Sequence, residues 1–89
     1  MSWKIDYSSQ AQKFRLKNPQ LTDHIKEALS AFAKKLAGEI ISIDVKKMKG
    51  AWEGSVRIRK GDFRIIVTVH DDPKILHVRV IDFRGDVYK

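Results

Sequence analysis

The sequence predicts an α+β fold in which a short strand near residues 3–7 and two helices precede an antiparallel meander of three strands. Two observations indicate it. Apolar residues with helical spacing dominate the first half of the chain, whereas apolar and polar residues alternate in the second half. The length of 89 residues suits one domain, which we assign to residues 1–89. We expect one mainly antiparallel sheet with the helices packed on one face.

The two predicted helices follow the first strand closely and form a hairpin. Ser8 or Ser9 can cap a first helix over Gln10–Lys17. The dipeptide after it starts with Asn18, a good capping residue, and continues with a proline, which is favoured in a first helical turn. Apolar residues then recur through 21–36 at the spacing of an amphipathic helix. The sequence therefore predicts two helices with a shared apolar side.

Three further strands are expected in the second half, at roughly Ser55–Arg59, Asp62–His70 and Lys74–Phe83. The dipeptide Lys60-Gly61 separates the first two, and Asp71-Asp72-Pro73 separates the last two. Before them, the lysine-rich segment 46–50 is typical of a basic turn. The meander is thus defined by its two turn sequences.

Composition and charge narrow the function. The net charge is +7, with +2 in residues 1–45 and +5 in residues 46–89. A basic region attracts polyanions, although a solvated lysine-rich surface would have the same charge. The absence of cysteine excludes disulfides, thiolate nucleophiles and cysteine-bound zinc. No carboxylate cluster suggests a metal, and no apolar run or leader suggests a membrane, so we expect a cytoplasmic protein without a cofactor.

The predicted pairing of the three strands gathers arginines on one face. A two-residue turn at Lys60-Gly61 places Arg57 directly opposite Arg64, with Arg59 on the same side. The second hairpin places Arg79 diagonal to Arg64. Both registers send their apolar residues to the opposite face. We name the side that carries Arg57, Arg59 and Arg64 the arginine face.

The arginine face has two interpretations. Like charges opposed across strands are unfavourable, and guanidinium groups bind two phosphate oxygens at once, so the row suits a phosphate site. Alternatively, the arginine stems cover Ile66 and Ile81 while their heads reach water. The first interpretation is favoured because the local acid, Asp62, lies at the turn beside Arg59.

Four aromatic or imidazole side chains near this face also need an interpretation. Trp52 is expected either to stack on a nucleobase or to cover the edge of the core. His70 and His77 fall diagonally on the outward side, resembling an acid–base pair. The usual strand rise puts them about 20 and 13 Å from Arg64, so we interpret both as ordinary surface histidines. Phe83 is expected to point outward.

Two motifs resemble the RelE/ParE toxin superfamily. The first joins Lys47-Met48-Lys49-Gly50 to the strand and hairpin of residues 56–66, which read Val-Arg-Ile-Arg-Lys-Gly-Asp-Phe-Arg-Ile-Ile. The second is the ending Arg84-Gly85-Asp86-Val87-Tyr88-Lys89. The order and length of the opening strand and helices also agree, so the resemblance spans nearly the whole chain. Ser55 stands where some relatives have a basic residue, and the spacing before Tyr88 is shorter than in some relatives.

The resemblance implies a toxin that cleaves mRNA on the ribosome and is neutralised by a cognate antitoxin protein. On the matching positions, the implied catalytic residues are Arg57, Arg64, Arg84 and Tyr88. The residues expected to bind RNA are Lys46, Lys47, Lys49, Arg59, Lys60 and Arg79. The expected partners are an acidic antitoxin, the ribosome and mRNA, with no metal. Two alternatives stay open: a ParE-like poison of DNA gyrase without nuclease activity, and a basic RNA-binding module without catalysis.

Overall fold

The computed structural model describes residues 3–83, which form a five-stranded mixed sheet with two helices on one face. The elements in chain order are β1 Lys4–Tyr7, α1 Ser9–Lys17, a 3-10 turn Pro19–Leu21, α2 Thr22–Leu36, β2 Asp44–Lys47, a 3-10 turn Gly50–Trp52, β3 Ser55–Lys60, β4 Phe63–Asp71 and β5 Lys74–Phe83. The α+β class and the helical hairpin are confirmed.

The sheet differs from the predicted meander in two respects. Its strand order is β1-β5-β4-β3-β2, and β1 pairs with β5 in parallel while the other pairs are antiparallel. The segment around Lys46 and Lys47 is the end of β2, whereas the sequence predicted a turn there. The sheet therefore has an additional edge strand and a parallel edge pair.

Capping side chains set the limits of α1. Ser8 is its N-cap, and the Ser8 hydroxyl accepts a hydrogen bond from the backbone N–H of Ala11 at 3.1 Å. Asn18 acts at the other end, because its side-chain amide donates to the carbonyl of Phe14 at 3.0 Å. The expectation that Asn18 caps the second helix is wrong: α2 follows the 3-10 turn and has no side-chain cap.

The core lies between the two helices and the sheet. Its buried apolar residues are Ala11, Phe14, Ile25, Ala28, Leu29, Phe32, Ile58, Phe63, Ile65, Val67, Leu76, Val78 and Ile81. Each large side chain in such a set contributes about 1.5–3 kcal/mol by leaving water. We name this side of the sheet the helix face. No helix among residues 3–83 is long and apolar enough to cross a membrane.

The turn between β3 and β4 is Gly61-Asp62, one residue later than the predicted Lys60-Gly61. Lys60 pairs with Phe63, and the φ angle of Gly61 is +58°. A positive φ at the first central residue alone is the pattern of a type II′ hairpin turn, which favours glycine there. Glycine at the first central position thus determines where the chain reverses.

The later turn shifts the pairing of β3 with β4 by two residues. Arg59 lies opposite Arg64, so the predicted opposition of Arg57 and Arg64 is wrong. Ile58 correspondingly pairs with Ile65. Because side chains alternate with a period of two, a shift of two residues leaves each on its predicted face.

A β-bulge between Ile66 and Val67 interrupts the pairing of β4 with β5. On the side of the bulge toward the β4–β5 turn, the register is the predicted one: Thr68 pairs with His77, and Val67 with Val78. The bulge is not visible in the sequence pattern, because its extra residue, Arg79, stands between Val78 and Val80, where a regular alternation of polar and apolar residues is also expected. It divides β5 into a segment in the predicted register and one displaced from it.

Beyond the bulge, β5 is displaced by one residue, which exchanges its faces. Ile81 pairs with Ile65 on the helix face, where the sequence predicted Val80. Asp82 consequently comes opposite Arg64 on the arginine face. A displacement of one residue therefore changes which side chains lie on the arginine face, whereas the shift of two residues at the first hairpin did not.

The same displacement relocates Phe83. This ring pairs in register with Phe63 and lies 5.1 Å from the ring of Phe14, centroid to centroid. Phe83 is therefore on the helix face, and its predicted outward orientation is wrong. The contact with α1 joins the last described strand residue to the core.

Candidate nucleic-acid interface

The arginine face carries a row of charged residues that crosses four strands. From β2 to β5 they are Asp44, Arg59, Arg64 and Asp82. Two arginines thus face each other at the centre of the row, and a carboxylate lies at each end. The sequence analysis identified Asp62 as the local acid, but the acids of this row are Asp44 on β2 and Asp82, which the bulge places on the arginine face.

A second row lies two residues away along each strand and contains fewer polar side chains. Its members are Lys46, Arg57, Ile66 and Val80. Arg57 is therefore a diagonal neighbour of Arg64. Ile66 is 0% exposed although it lies outside the core cluster on the helix face. The aliphatic parts of the arginine side chains therefore help to cover Ile66, as the second interpretation of this face expects.

The arginine heads are only partly compensated by protein groups. The side-chain Nε atoms of Arg57 and Arg59 are buried, with no hydrogen-bond partner among the described residues. Arg59 Nε is 3.7 Å from an Asp44 carboxylate oxygen, an ion pair beyond hydrogen-bond length. A buried unsatisfied donor costs about 1–3 kcal/mol, so these two guanidinium groups have hydrogen-bonding capacity that the described protein groups leave unused. The phosphate interpretation is supported by this arrangement.

Arg64 is the most deeply buried of the arginines on this face. It is 7% exposed, compared with a half-buried Arg57. A charged group so far from water requires a compensating neighbour, and Asp82 lies opposite it in register, whereas Arg59 on the other side has the same charge. Its fixed position on a central strand suits a role that depends on geometry.

A polar cluster that the sequence did not reveal adjoins the two rows. The hydroxyls of Ser55 and Thr68 are 2.7 Å apart, and Arg79 donates from Nε to the Thr68 hydroxyl at 3.2 Å. Arg79 was predicted opposite Ile66, but the bulge gives that position to Val80. Arg79 nevertheless remains on the arginine face, because Thr68 lies there.

The two histidines of the arginine face are neighbours, as predicted. The rings of His70 and His77 are 4.8 Å apart and nearly perpendicular. His77 Nδ1 lies 3.0 Å from a carboxylate oxygen of Asp6, a contact that the parallel pairing of β1 with β5 creates. Both histidines are several residues along the strands from Arg64, and their interpretation as surface residues stays a prediction.

The lysines predicted to bind RNA lie on different faces of the sheet. Lys46 is opposite Arg57 on the arginine face. Lys47 alternates to the other side of β2, although it lines the same edge cavity as Lys49. Lys60 lies on the helix face, where its Nζ is 3.7 Å from a Glu27 carboxylate oxygen, and its role in RNA binding stays a prediction. Arg84 and Tyr88 lie outside the described residues.

The comparisons with solved structures address the fold. No protein-family model and no curated protein matches the sequence. A YoeB–YefM toxin–antitoxin complex from Staphylococcus aureus contains a chain with a TM-score of 0.74, 21% identity and coverage of 94% of this chain and 99% of that one. A chain of the RelBE2 toxin–antitoxin complex from Mycobacterium tuberculosis has a TM-score of 0.71 and 14% identity, with coverage of 94% of this chain and 100% of that one. YafQ from E. coli has a TM-score of 0.61 and 17% identity, with coverage of 99% of this chain and 100% of that one.

These similarities cover the whole architecture, from β1 to β5. The chain has the RelE-type toxin fold. The predicted resemblance to the superfamily is thereby confirmed at the level of the fold. The arginine face lies on the sheet surface away from the helices. A cavity of about 590 Å³ lies between α2 and β1 and is walled mostly by apolar groups such as Trp3, Leu29 and Leu36.

The acid on the edge strand β2, Asp44, leads to a first prediction. We expect Asp44→Asn to raise the affinity for a non-cleavable single-stranded RNA roughly threefold, the effect of one charge about 6 Å from a phosphate in a watery environment. Both members of the pair with Arg59 are partly exposed, which keeps the effect small. Fluorescence anisotropy measures it. Asp23→Asn, in the first turn of α2, is the matched control. Equal affinities for the two variants would contradict the prediction.

Proposed function

We propose that this protein is the toxin of a type II toxin–antitoxin system and cleaves mRNA on the ribosome without a metal ion, arresting translation in the cytoplasm. The observation that carries the proposal is the gathering of Arg57, Arg59 and Arg64 on one face of a RelE-type fold. The fold supports this class of protein by analogy, and the guanidinium groups are suited to a phosphate site.

The proposed reaction is an attack of a ribose 2′-oxygen on the adjacent phosphorus. The bond from phosphorus to the 5′-oxygen breaks, the 2′-hydroxyl loses its proton, and the leaving 5′-oxygen gains one. The products are a 2′,3′-cyclic phosphate and a 5′-hydroxyl end. Negative charge accumulates on the phosphoryl oxygens in the transition state, where fixed cations stabilise it.

The arginines have different proposed roles in this reaction. Arg64, fixed on a central strand, stabilises the charge of the transition state. Arg57 and Arg84 hold the phosphate, and Tyr88 stacks on a base or takes part in proton transfer. Positioning of the message by the ribosome supplies a large part of the remaining acceleration.

Mapping of RNA 5′ ends after brief expression of the protein tests the proposal. We expect new 5′-hydroxyl ends within translated messages and a block of protein synthesis. Purified protein should cleave mRNA in a reaction that contains translating ribosomes. In a control reaction without ribosomes it should be inactive, whether or not a chelator is present. DNA damage with intact transcripts would favour the gyrase-poison alternative. Intact transcripts with undisturbed growth would favour a non-catalytic RNA-binding module.

A cognate antitoxin of acidic character is the proposed protein partner, covering the arginine face or its rim. We expect its affinity to fall at least tenfold between 50 and 500 mM salt. The Debye screening length is about 10 Å at 0.1 M salt and becomes shorter at higher salt, so attraction between exposed charges weakens. Arg79→Glu should slow association, whereas Lys13→Glu on α1 should not. Surface-based binding kinetics measure both. An affinity that does not change with salt would contradict the charge-based contact.

A further inference from the structure

A basic pocket with an aromatic wall lies at the edge of the sheet beside the arginine face. It has a volume of about 390 Å³ and is lined by Lys46, Lys47, Met48, Lys49, Trp52 and Arg57. Each charged side chain of the lining is a cation, and the other two are apolar and polarisable. The pocket thus combines positive charge with a flat aromatic surface.

Local backbone geometry creates this pocket. After β2, the Met48 N–H donates to the carbonyl of Ser55 at 3.0 Å, which holds the connection against β3. Gly50, with a φ angle of +70°, begins the 3-10 turn that ends at Trp52. The Glu53 N–H closes the turn onto the Gly50 carbonyl at 3.0 Å. The turn returns Trp52 to the side of the sheet edge where Arg57 lies.

The state of Trp52 indicates that its surface is available. The residue is 36% exposed and does not belong to the core cluster or to the partly buried residues packed against it. The alternative interpretation, in which Trp52 covers the core edge, is therefore disfavoured. An indole with this exposure, set among cations, is the combination that single-strand binding sites use for base stacking.

We propose that this pocket binds the nucleotide adjacent to the cleaved phosphate, with its base stacked on Trp52 and its phosphate held by Arg57 and the neighbouring lysines. The inference rests on the proposed function, because it assumes an RNA substrate. Arg57 connects the two sites, since it lines the pocket and is also the diagonal neighbour of Arg64. A bound strand that reaches Arg64 therefore passes the pocket.

An acidic segment of a protein partner would satisfy the same cations, but it would leave the indole surface unmatched. A nucleobase covers that surface with its own flat face. The combination of aromatic wall and cations therefore favours RNA over an acidic peptide as the occupant.

Fluorescence of Trp52 tests the proposal directly. Trp3→Phe leaves Trp52 as the single tryptophan. A single-stranded RNA with 2′-O-methyl riboses, which cannot be cleaved, should quench its emission at least twofold. An abasic strand of equal length and charge should quench it much less. Equal quenching by both strands, or none by either, would overturn the proposal. Stronger quenching by polyglutamate than by RNA would also overturn it, in favour of a site for a protein partner.

Affinity measurements complete the test. We expect Trp52→Ala to weaken binding of the non-cleavable RNA roughly 5- to 150-fold, and Trp52→Phe to retain most of the affinity. Leu16→Ala on α1, which also removes an exposed apolar side chain, is the control. If wild-type protein cleaves mRNA but Trp52→Ala binds normally, the pocket inference alone fails. If base-dependent quenching occurs without any cleavage, the proposed function fails and the pocket stands.

Discussion

Replacing Arg64 by alanine is expected to abolish growth arrest and to slow mRNA cleavage about 100- to 1,000-fold, the usual loss when one fixed transition-state donor is removed. Arg64 is 7% exposed and lies between Arg59 and Asp82 on a central strand, so few other groups can take its position. The cleavage rate of purified protein in a reconstituted translation reaction measures the effect.

Two controls separate chemistry from folding in this experiment. Arg15→Ala removes the same charge from α1, where the guanidinium lies 4.1 Å from the ring centre of Tyr7, and should leave cleavage unchanged. Arg64→Lys retains the charge but loses paired donation to two oxygens, and it should have intermediate activity. Thermal unfolding reports the folded state of each variant. A folded Arg64→Ala protein as toxic as the wild type would exclude this residue from the site.

The second large effect concerns stability. Ile65→Ala is expected to lower the free energy of unfolding by roughly 2–5 kcal/mol, as truncations of fully buried side chains do. Ile65 is 0% exposed and pairs with Ile58 and Ile81 in the centre of the helix face. Because small domains have a total stability of about 5–15 kcal/mol, the variant should also be less toxic in cells. Urea denaturation followed by circular dichroism measures the loss.

The matched control for Ile65 is the same substitution at a fully exposed position. Ile40 is 103% exposed, and Ile40→Ala should change stability by no more than about 0.5 kcal/mol. A loss of equal size at both positions would show that burial is not the cause. If Ile65→Ala were as stable as the wild type, the assignment of the core to this face of β4 would be wrong.

Local patterns in the sequence were sufficient for the elements and their faces. The strand over Lys74–Phe83 has the predicted bounds, and α1 and β3 differ from prediction by a single residue each. Periodicity is a local property of the chain, so it can be read without knowing what an element contacts. The two-residue shift at the first hairpin did not disturb these faces, because strands alternate with a period of two.

The composition of the charged row, in contrast, depended on long-range pairing. A bulge between Ile66 and Val67 brought Asp82 opposite Arg64, and the edge strand β2 brought Asp44 beside Arg59. The bulge leaves no signature in the apolar pattern, since residues on both sides of it are apolar. Likewise, the contact of Asp6 with His77 requires β1 to pair with a strand about 70 residues away.

By itself, the sequence determined an α+β chain with an apolar helix face and an opposite face on which Arg57, Arg59 and Arg64 lie together. Only the tertiary structure decided which arginines oppose each other, which acids flank them, and that Trp52 lines a basic pocket. The physical reason is that side-chain alternation is set residue by residue along a strand. Register, bulges and strand order are set instead by the fit of whole elements against one another.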